Sequence, residues 1–360
     1  MYRAEKSLPH LNAPEAYVSL EAHGRDQRIL EKAWHLVASR DELACEGDFV
    51  ACELLGRPIQ VRNFAGELHA ISNVCAHRHC LLTKHRRGRS ASMRCQYHGW
   101  EYRRDGRPCK IPAPSNFIGL DKESVRLPVY RVQECGQLVF VCLSPEGPDL
   151  TEHLGPLANR VKERFGAGWK QFLSWEPDYL ANWKVPLENS LEAYHVDAVH
   201  PLTFGRDPGE QRSVHVLEPG HTAFATDLPF VPTRRDRLVA DLERFWLGRA
   251  GLECSGRYWQ HHLFPNLLFS FTDSVSLCHC ILPTGPERSR AVIHQFGPRA
   301  GPFSSLWGRL MAANTRLIMA EDLRLFESIQ KGLRSSPHPG LLGRCEERIH
   351  AFQQYLQDRP

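Results

Sequence analysis

Two patterns of hydrophobic and polar positions divide the 360-residue chain. Between Trp34 and Leu143, short stretches of alternating apolar and polar residues are separated by glycines at turn positions. Such alternation at short intervals is typical of antiparallel strands. Pro145 and Gly147 then interrupt the pattern. We therefore expect an N-terminal segment over 1–33 and a small all-β domain over 34–147.

The second pattern, from residue 148 to the end, groups helical and strand-like stretches rather than alternating them. Helical periodicity is found over Asp149–Phe165, Pro186–Val199, Leu306–Gln330 and Leu342–Leu356. Strand-like segments are found over Val214–Leu228, Leu263–Thr272, Ser276–Pro283 and Ala291–Phe296. This grouping predicts an α+β second domain over 148–360.

The net charge and the hydropathy of the chain argue against two classes of protein, those that bind nucleic acid and those that span a membrane. Forty-five Lys and Arg against 41 Asp and Glu leave a net charge of +4, too small to indicate nucleic-acid binding. No apolar run reaches the length of a membrane helix, and the first thirty residues show no signal peptide. We therefore expect a cytoplasmic protein with neither a nucleic acid nor a membrane as partner.

Two Cys-and-His pairs stand out among 12 Cys and 19 His. Cys75 and His77 form a C-x-H pair, and Cys95 and His98 form a C-x-x-H pair after seventeen intervening residues. A structural zinc site is one interpretation of two Cys and two His. Zinc fingers, however, commonly pair Cys with Cys and His with His. Here each loop carries one Cys and one His. This favours a Rieske [2Fe–2S] centre, in which two Cys hold one iron and two His hold the other.

A second candidate site lies in the α+β domain. His195 and His200 are five residues apart, about 140° around an ideal helix, so one metal reaches both only if the helix is distorted or ends near His200. Pro201 is consistent with such an end. Two His and one carboxylate with open positions are typical of O₂-activating Fe(II) sites, and Asp322 is the candidate carboxylate. Each signal is weak alone, because an acidic pair on a helix is usually a solvated face.

Together the motifs resemble a known family. The loops Asn73–Arg78 and Cys95–Trp100, the pattern N-W-K-x₃-E-N-x₂-E-x-Y-H-x₄-H-P and a late E-D-x₄-E are similar to those of Rieske non-haem iron oxygenase α subunits, in particular the choline, glycine-betaine and carnitine monooxygenase branch. The resemblance implies an all-β Rieske domain followed by an α+β, helix-grip-like catalytic domain.

The resemblance also implies roles for individual residues. Cys75, His77, Cys95 and His98 would ligate the [2Fe–2S] cluster, and His195, His200 and Asp322 the mononuclear Fe(II). Members of this family usually form homotrimers, in which a carboxylate bridges a cluster His of one subunit and an iron His of the next. Glu192 and Asp197 are the two candidates for this carboxylate, and Glu192 has the commoner spacing.

The implied function is that of a terminal oxygenase component. It would take electrons from a separate NAD(P)H-dependent reductase, with or without a ferredoxin, and use O₂ to hydroxylate or oxidatively dealkylate a small organic substrate. An aromatic ring cis-dihydroxylating dioxygenase is the alternative within the class. A Rieske electron carrier or redox sensor without catalysis is the alternative outside it, but a carrier has no use for the second metal motif.

One further segment could serve the electron donor. Lys84-His85-Arg86-Arg87-Gly88-Arg89 lies between the two cluster loops. Such a basic loop would attract an acidic ferredoxin or reductase domain. A solvated hydrophilic loop is an equally good interpretation.

Overall fold

The computed structural model describes residues 2–201, 203, 204, 206–228 and 234–359. Helices in these ranges are α1 (Leu20–Glu31), α2 (Leu150–Leu154), α3 (Ala158–Arg164), α4 (Lys184–Asn189), α5 (Val196–Val199), α6 (Arg234–Arg249), α7 (Phe303–Leu333) and α8 (Glu347–Gln357). In these described ranges, no helix is both long and apolar enough to cross a lipid bilayer.

The strands of the described residues fall into two parts of the chain, ten in the first and eight in the second. The first ten are β1 (His35–Ser39), β2 (Asp48–Leu54), β3 (Arg57–Phe64), β4 (Glu67–Ser72), β5 (Arg87–Arg89), β6 (Met93–Arg94), β7 (Glu101–Tyr102), β8 (Pro108–Lys110), β9 (Val129–Cys135) and β10 (Leu138–Cys142). The remainder are β11 (Trp169–Trp175), β12 (Asp178–Tyr179), β13 (Val214–Glu218), β14 (His221–Asp227), β15 (Arg257–Leu263), β16 (Leu267–Phe271), β17 (Ser276–Gly285) and β18 (Arg288–Pro298).

The chain forms two compact units. One comprises residues 31–162, and the other combines 1–30 with 163–360. The boundary between the units therefore falls after α2 and most of α3. This is later than position 147, where the segment rich in Pro and Gly interrupts the strand pattern. The N-terminal segment belongs to the same unit as the C-terminal part of the chain.

The β unit contains two antiparallel sheets. Its larger sheet has the strand order β1-β10-β9-β4-β3-β2-β5, and the smaller has the order β6-β7-β8. Beside the small sheet lies a hydrophobic cluster that includes Ile71, Met93, Trp100 and Leu127. The cluster also contains two cysteines of the motif pairs, so the candidate cluster loops are anchored on a packed core.

The second unit is built on one antiparallel sheet. Its order is β11-β18-β17-β16-β15-β14-β13, with β12 paired to β18. The long helix α7 packs against β11 and β18. A Cβ on Gly308 of α7 would lie 2.4 Å from ring atoms of Phe172 on β11, so glycine permits this close approach. The α+β class expected from the sequence is confirmed.

Two helices of the described residues were not predicted from the sequence, and two predicted helices are broken. α1 and α6 are rich in charged residues, so neither has a strong apolar periodicity. The expected helix Asp149–Phe165 is divided into α2 and α3. The expected helix Pro186–Val199 is divided into α4 and the single turn α5. The N-W-K motif explains how α1 is anchored. The Lys184 ammonium and the Trp183 indole N–H both donate to the Asp26 carboxylate, and the Lys184 and Asp26 side chains are fully buried.

Candidate metal centres

Each Cys-and-His pair lies in a loop that closes on itself. The amide of His79 donates to the carbonyl of Cys75 at 3.0 Å, and the amide of Gly99 donates to the carbonyl of Cys95 at 3.1 Å. The sulfur-bearing residues Cys75 and Cys95 are 1% and 3% exposed. His98, in contrast, is exposed. The cysteines therefore face the core of the β unit, and the histidine side of the site faces solvent.

The two histidines are adjacent in space. The ring centroids of His77 and His98 are 4.7 Å apart, and His77 stacks on Trp100 at 5.2 Å with nearly parallel planes. The Nδ1 atom of His77 is buried and has no hydrogen-bond partner within the described ranges. An orphaned imidazole nitrogen beside two buried thiols fits a metal cluster, which would use that lone pair.

Tyr102 lies against the first loop. Its hydroxyl oxygen is 3.1 Å from the Cys75 Sγ and accepts a hydrogen bond from the Ala76 amide at 3.1 Å. Burial raises the pKa of the Cys75 thiol, and the contact with Tyr102 partly offsets this effect. A thiolate at this position is therefore costly without a cation, which again fits iron.

His195, His200 and Asp322 come together in the second unit. One ligand atom from each of the three lies within 4.8 Å of the other two. The two histidine Nε2 atoms are 3.2 Å apart, and the His200 Nε2 is 3.1 Å from the Asp322 Oδ1. His195 lies just before α5 and His200 just after it. The chain turn thus overcomes the 140° separation that a continuous helix would impose.

Carboxylates hold the outer nitrogens of both histidines. The His195 Nδ1 contacts the Glu192 Oε1, and the His200 Nδ1 lies 2.9 Å from the Glu321 Oε2. An Nδ1–H that donates to a carboxylate leaves the Nε2 with a lone pair. Two such lone pairs and the Asp322 carboxylate then converge, an arrangement that repels itself unless a cation lies between them. The residues present therefore fit a divalent metal.

The two carboxylates beside His200 also affect its protonation. Burial alone would lower the pKa of His200, but the carboxylates of Asp322 and Glu321 raise it overall. Asp322 also accepts a hydrogen bond from the Asn189 Nδ2 at 3.1 Å, and Glu321 accepts one from the Thr203 hydroxyl at 2.6 Å. Each acidic residue of the E-D pair is thus oriented by a neutral donor.

The two candidate bridging acids have different surroundings. Glu192 touches His195 through both its side-chain oxygens, one at the ring and one at the backbone amide. Asp197 is exposed and accepts a hydrogen bond from the amide of Asp207. Of the two, Glu192 is the acid in contact with a histidine of the triad.

A cavity of about 340 Å³ adjoins this triad. His195, His200 and Asp322 form part of its wall, together with apolar side chains that include Phe204, Phe224, Leu268 and Ile318. Phe269 and Phe271 of β16 pack against Phe165 in the core. The triad therefore lies where a small organic molecule can reach it.

Several residues of these sites were not singled out from the sequence. Tyr102, Asn189 and Glu321 take their positions from long-range packing. Asn189 and Glu321 are themselves positions of the quoted motifs, and this was the available signal.

The basic loop between the cluster motifs is mostly occupied within its own domain. Arg86 donates to the carbonyls of Ala51 and Val37. Arg87 and Arg89 form ion pairs of 2.6 Å with Glu42 and Asp48. These three guanidiniums support the β sheet, which weakens the hypothesis that they attract an electron donor.

Two protein-family models match the chain. The Rieske [2Fe–2S] domain matches residues 33–131, and the ring-hydroxylating α subunit (catalytic domain) matches residues 167–359. The second match covers more than half of the chain.

Individual proteins agree with these matches. The anthranilate 1,2-dioxygenase large subunit of Acinetobacter baylyi is 33% identical over 180 residues, or 48% of this chain and 38% of that protein. The carnitine monooxygenase oxygenase subunit of Escherichia coli K12 is 26% identical over 327 residues, or 87% of this chain and 81% of that protein. The match to the dioxygenase subunit thus spans well under half of its length.

A solved structure has the same fold. The quaternary ammonium Rieske monooxygenase in complex with L-carnitine superimposes with a TM-score of 0.77 at 21% identity, over 98% of this chain and 96% of that one. The chain belongs to the ring-hydroxylating oxygenase α-subunit family, with a Rieske [2Fe–2S] domain followed by a catalytic domain.

Proposed function

We propose that this protein is the terminal oxygenase component of a Rieske non-haem iron oxygenase system. One observation carries the proposal: a 2-His-1-carboxylate group lines a cavity in the same chain that holds two Cys-and-His loops. A Rieske electron carrier or sensor would need the loops alone. The second site therefore favours catalysis over electron storage.

In this proposal each unit holds one inorganic group. Cys75, His77, Cys95 and His98 ligate the [2Fe–2S] cluster, and the mononuclear iron takes its ligands from a second set, His195, His200 and Asp322. When bound, the cluster supplies single electrons and the Fe(II) supplies open coordination positions for O₂ activation. The Cys side of the cluster site is buried, and the exposed His98 is the side open to an electron donor.

The protein residues prepare the second site. Glu192 and Glu321 orient the two imidazoles through their Nδ1 atoms, so that both Nε2 lone pairs point inward. Asn189 holds the Asp322 carboxylate by donating to its Oδ1. Apolar side chains of the cavity, such as Phe224 and Leu268, restrict water around the substrate.

Glu192 is the favoured bridging acid. Its contact with the His195 ring supports this role, and Asp197 has no corresponding contact with the triad among the described residues. We infer a homotrimer, as the family resemblance implies, in which a cluster histidine of a neighbouring subunit meets the Glu192 carboxylate. The exposed aromatic ring of Tyr194, which is 71% exposed, is consistent with an interface at this position.

Partners and substrate follow from the same resemblance. A separate NAD(P)H-dependent reductase, with or without a ferredoxin, would supply the electrons. Hydroxylation or oxidative dealkylation of a small organic molecule is the proposed reaction, and the cytoplasmic location expected from the sequence stays a prediction. The similarity to the anthranilate 1,2-dioxygenase large subunit favours ring cis-dihydroxylation as the second candidate.

A substrate screen tests this function. The protein would be supplied with a surrogate reductase, NADH and heavy-isotope O₂, and the products followed by mass. Incorporation of one labelled oxygen atom indicates a monooxygenase, and incorporation of two with two added hydrogens indicates a dioxygenase. Loss of a small aldehyde indicates dealkylation. Reduction of the cluster without O₂ consumption across a broad panel would contradict the proposal and favour the electron carrier.

A further inference from the structure

Arg348 is a buried cation in the wall of the cavity beside the metal triad. It lies on α8, is 1% exposed and contributes to the cavity lining. Long charged residues are almost never fully buried unless they are paired. Its surroundings therefore need an explanation.

The partners of Arg348 are all neutral. Its Nε donates to the Thr222 hydroxyl at 3.2 Å, and its Nη1 donates to the Gln260 Oε1 at 2.9 Å and the Leu191 carbonyl at 3.4 Å. The Nη2 has no acceptor within the described ranges. Nor does any carboxylate described by the structure form an ion pair with this guanidinium. Burial lowers the pKa of Arg348 to about 9, which leaves it charged at neutral pH.

The acidic residues of the cavity are engaged elsewhere. Glu243 contacts the Ser274 hydroxyl, and its charged neighbours are Asp273 and Arg244. Glu192 contacts the ring and the amide of His195, and Asp322 lies against the two histidines and Asn189. Glu347, next to Arg348 in the chain, pairs with His215 at 2.8 Å. The positive charge of Arg348 is thus available to an anionic group that enters the cavity.

From this arrangement we infer that the substrate carries a carboxylate, or an equivalent planar anionic group, that binds to the guanidinium of Arg348. Arginine presents its N–H donors in a fork that matches a carboxylate. With the anion at Arg348, the remainder of the substrate is held in the cavity that the metal triad also lines. The inference rests on the proposed function, because it names the substrate class of the same cavity. Arg348 would be a specificity-determining residue.

Equilibrium binding tests the inference without turnover. The iron-loaded full-length protein is titrated by calorimetry with two matched pairs of probes, benzoate with benzamide and acetate with acetamide. At least one carboxylate should bind about tenfold or more tightly than its amide, as expected for a charge-assisted hydrogen bond. The Arg348→Gln variant should lose that preference and leave amide binding unchanged, while Arg348→Lys should retain part of it.

Two control variants and a second measurement separate the alternatives. Arg344→Gln removes an equal charge from an exposed position near α8 that does not line the cavity, and it should keep the preference. His200→Ala should also keep it, because the anion binds to Arg348 rather than to iron. Each variant's thermal unfolding midpoint and cluster absorption are recorded. Benzoate or acetate should raise the midpoint of the wild type but not that of Arg348→Gln.

Equal affinity for both members of each pair would overturn the inference. So would an Arg348→Gln variant that keeps the wild-type preference, or a preference that disappears with His200→Ala and survives in Arg348→Gln. None of these results affects the proposed function, which fails only if the protein lacks the cluster, the mononuclear iron or O₂-dependent turnover.

Discussion

The Nδ1 atom of His200 lies 2.9 Å from the Oε2 of Glu321, the residue immediately before Asp322. The other ring nitrogen of His200, Nε2, lies 3.1 Å from the Asp322 Oδ1. Two consecutive acidic residues on α7 thus contact the two ring nitrogens of one histidine. The Glu321 contact fixes the imidazole orientation and the tautomer. We therefore assign Glu321 a positioning role rather than a ligand role.

Replacing Glu321 tests this role. Glu321→Gln should lower the affinity for the mononuclear iron about tenfold to a hundredfold, because the loss of a carboxylate behind a metal-bound histidine has an effect of that size. Iron retained after graded chelation measures the change. Glu327→Gln, an exposed position on the same helix, is the matched control. Equal iron retention in both variants would show that Glu321 does not orient His200.

Substitutions of Glu192 and Asp197 show which of the two carboxylates bridges the metal sites. Glu192→Gln keeps an oxygen that can accept from the His195 Nδ1 but removes the negative charge, so iron binding should persist while turnover falls about tenfold to a hundredfold. Asp197→Asn should change turnover little. Single-turnover reoxidation of the pre-reduced cluster, in the presence of substrate and O₂, locates the defect. Slow reoxidation in Asp197→Asn alone would reverse the assignment.

Tyr102 should tune the cluster. Its hydroxyl lies 3.1 Å from the Cys75 Sγ, and hydrogen bonds to cluster sulfurs raise the reduction potential. Tyr102→Phe should therefore lower the potential, by an amount on the order of 50 mV. A redox titration followed by electron paramagnetic resonance measures it. Tyr97→Phe, at an exposed position of the second loop, should have a smaller effect, and an unchanged potential in Tyr102→Phe would refute the role.

A largely buried carboxyl should make stability depend on pH. Glu188 contacts the Tyr17 hydroxyl and the Gln353 amide, and burial raises its pKa from 4.5 to about 7. The unfolded chain releases this proton at lower pH than the folded protein does. Its contribution to stability is therefore present below about pH 4.5 and is lost as the pH rises through 7.

Glu188→Gln removes this dependence. The variant should be similar to the wild type at pH 5 and more stable at pH 8, by up to about 3 kcal/mol. Thermal unfolding midpoints at the two pH values measure the difference, with the exposed Glu21→Gln as control. A Glu188→Gln variant that is less stable than the wild type at pH 8 would mean that the carboxylate, rather than its neutral form, is the stabilising species.

The motif spacing allowed much of the fold and the candidate site to be predicted. Cys75, His77, Cys95 and His98 were identifiable because each pair is local in sequence. The 140° separation of His195 and His200 required a helix that is distorted or ends near His200, and in the structure α5 ends at Val199 with His200 as its C-cap. The two-domain α+β architecture also followed from local hydrophobic patterns.

What could not be predicted depends on contacts between residues far apart in the chain. Glu321 and His200 are 121 positions apart, so the sequence alone did not distinguish Glu321 from a solvated acid beside Asp322. The N-W-K motif was recognisable, but its physical role appears only through the contact of Lys184 with Asp26 on a charged helix. The buried cation Arg348 is likewise invisible in a helical pattern rich in polar residues.

The central claim is that one unit stores electrons and the other holds a separate catalytic iron. Iron and acid-labile sulfide, measured per chain in the wild type and in Asp322→Ala, test it most directly. The account predicts about three irons and two sulfides in the wild type. In the variant it predicts about two of each, with an unchanged cluster spectrum and no substrate-dependent O₂ consumption. A variant that keeps its third iron and consumes O₂ at the wild-type rate would contradict the claim.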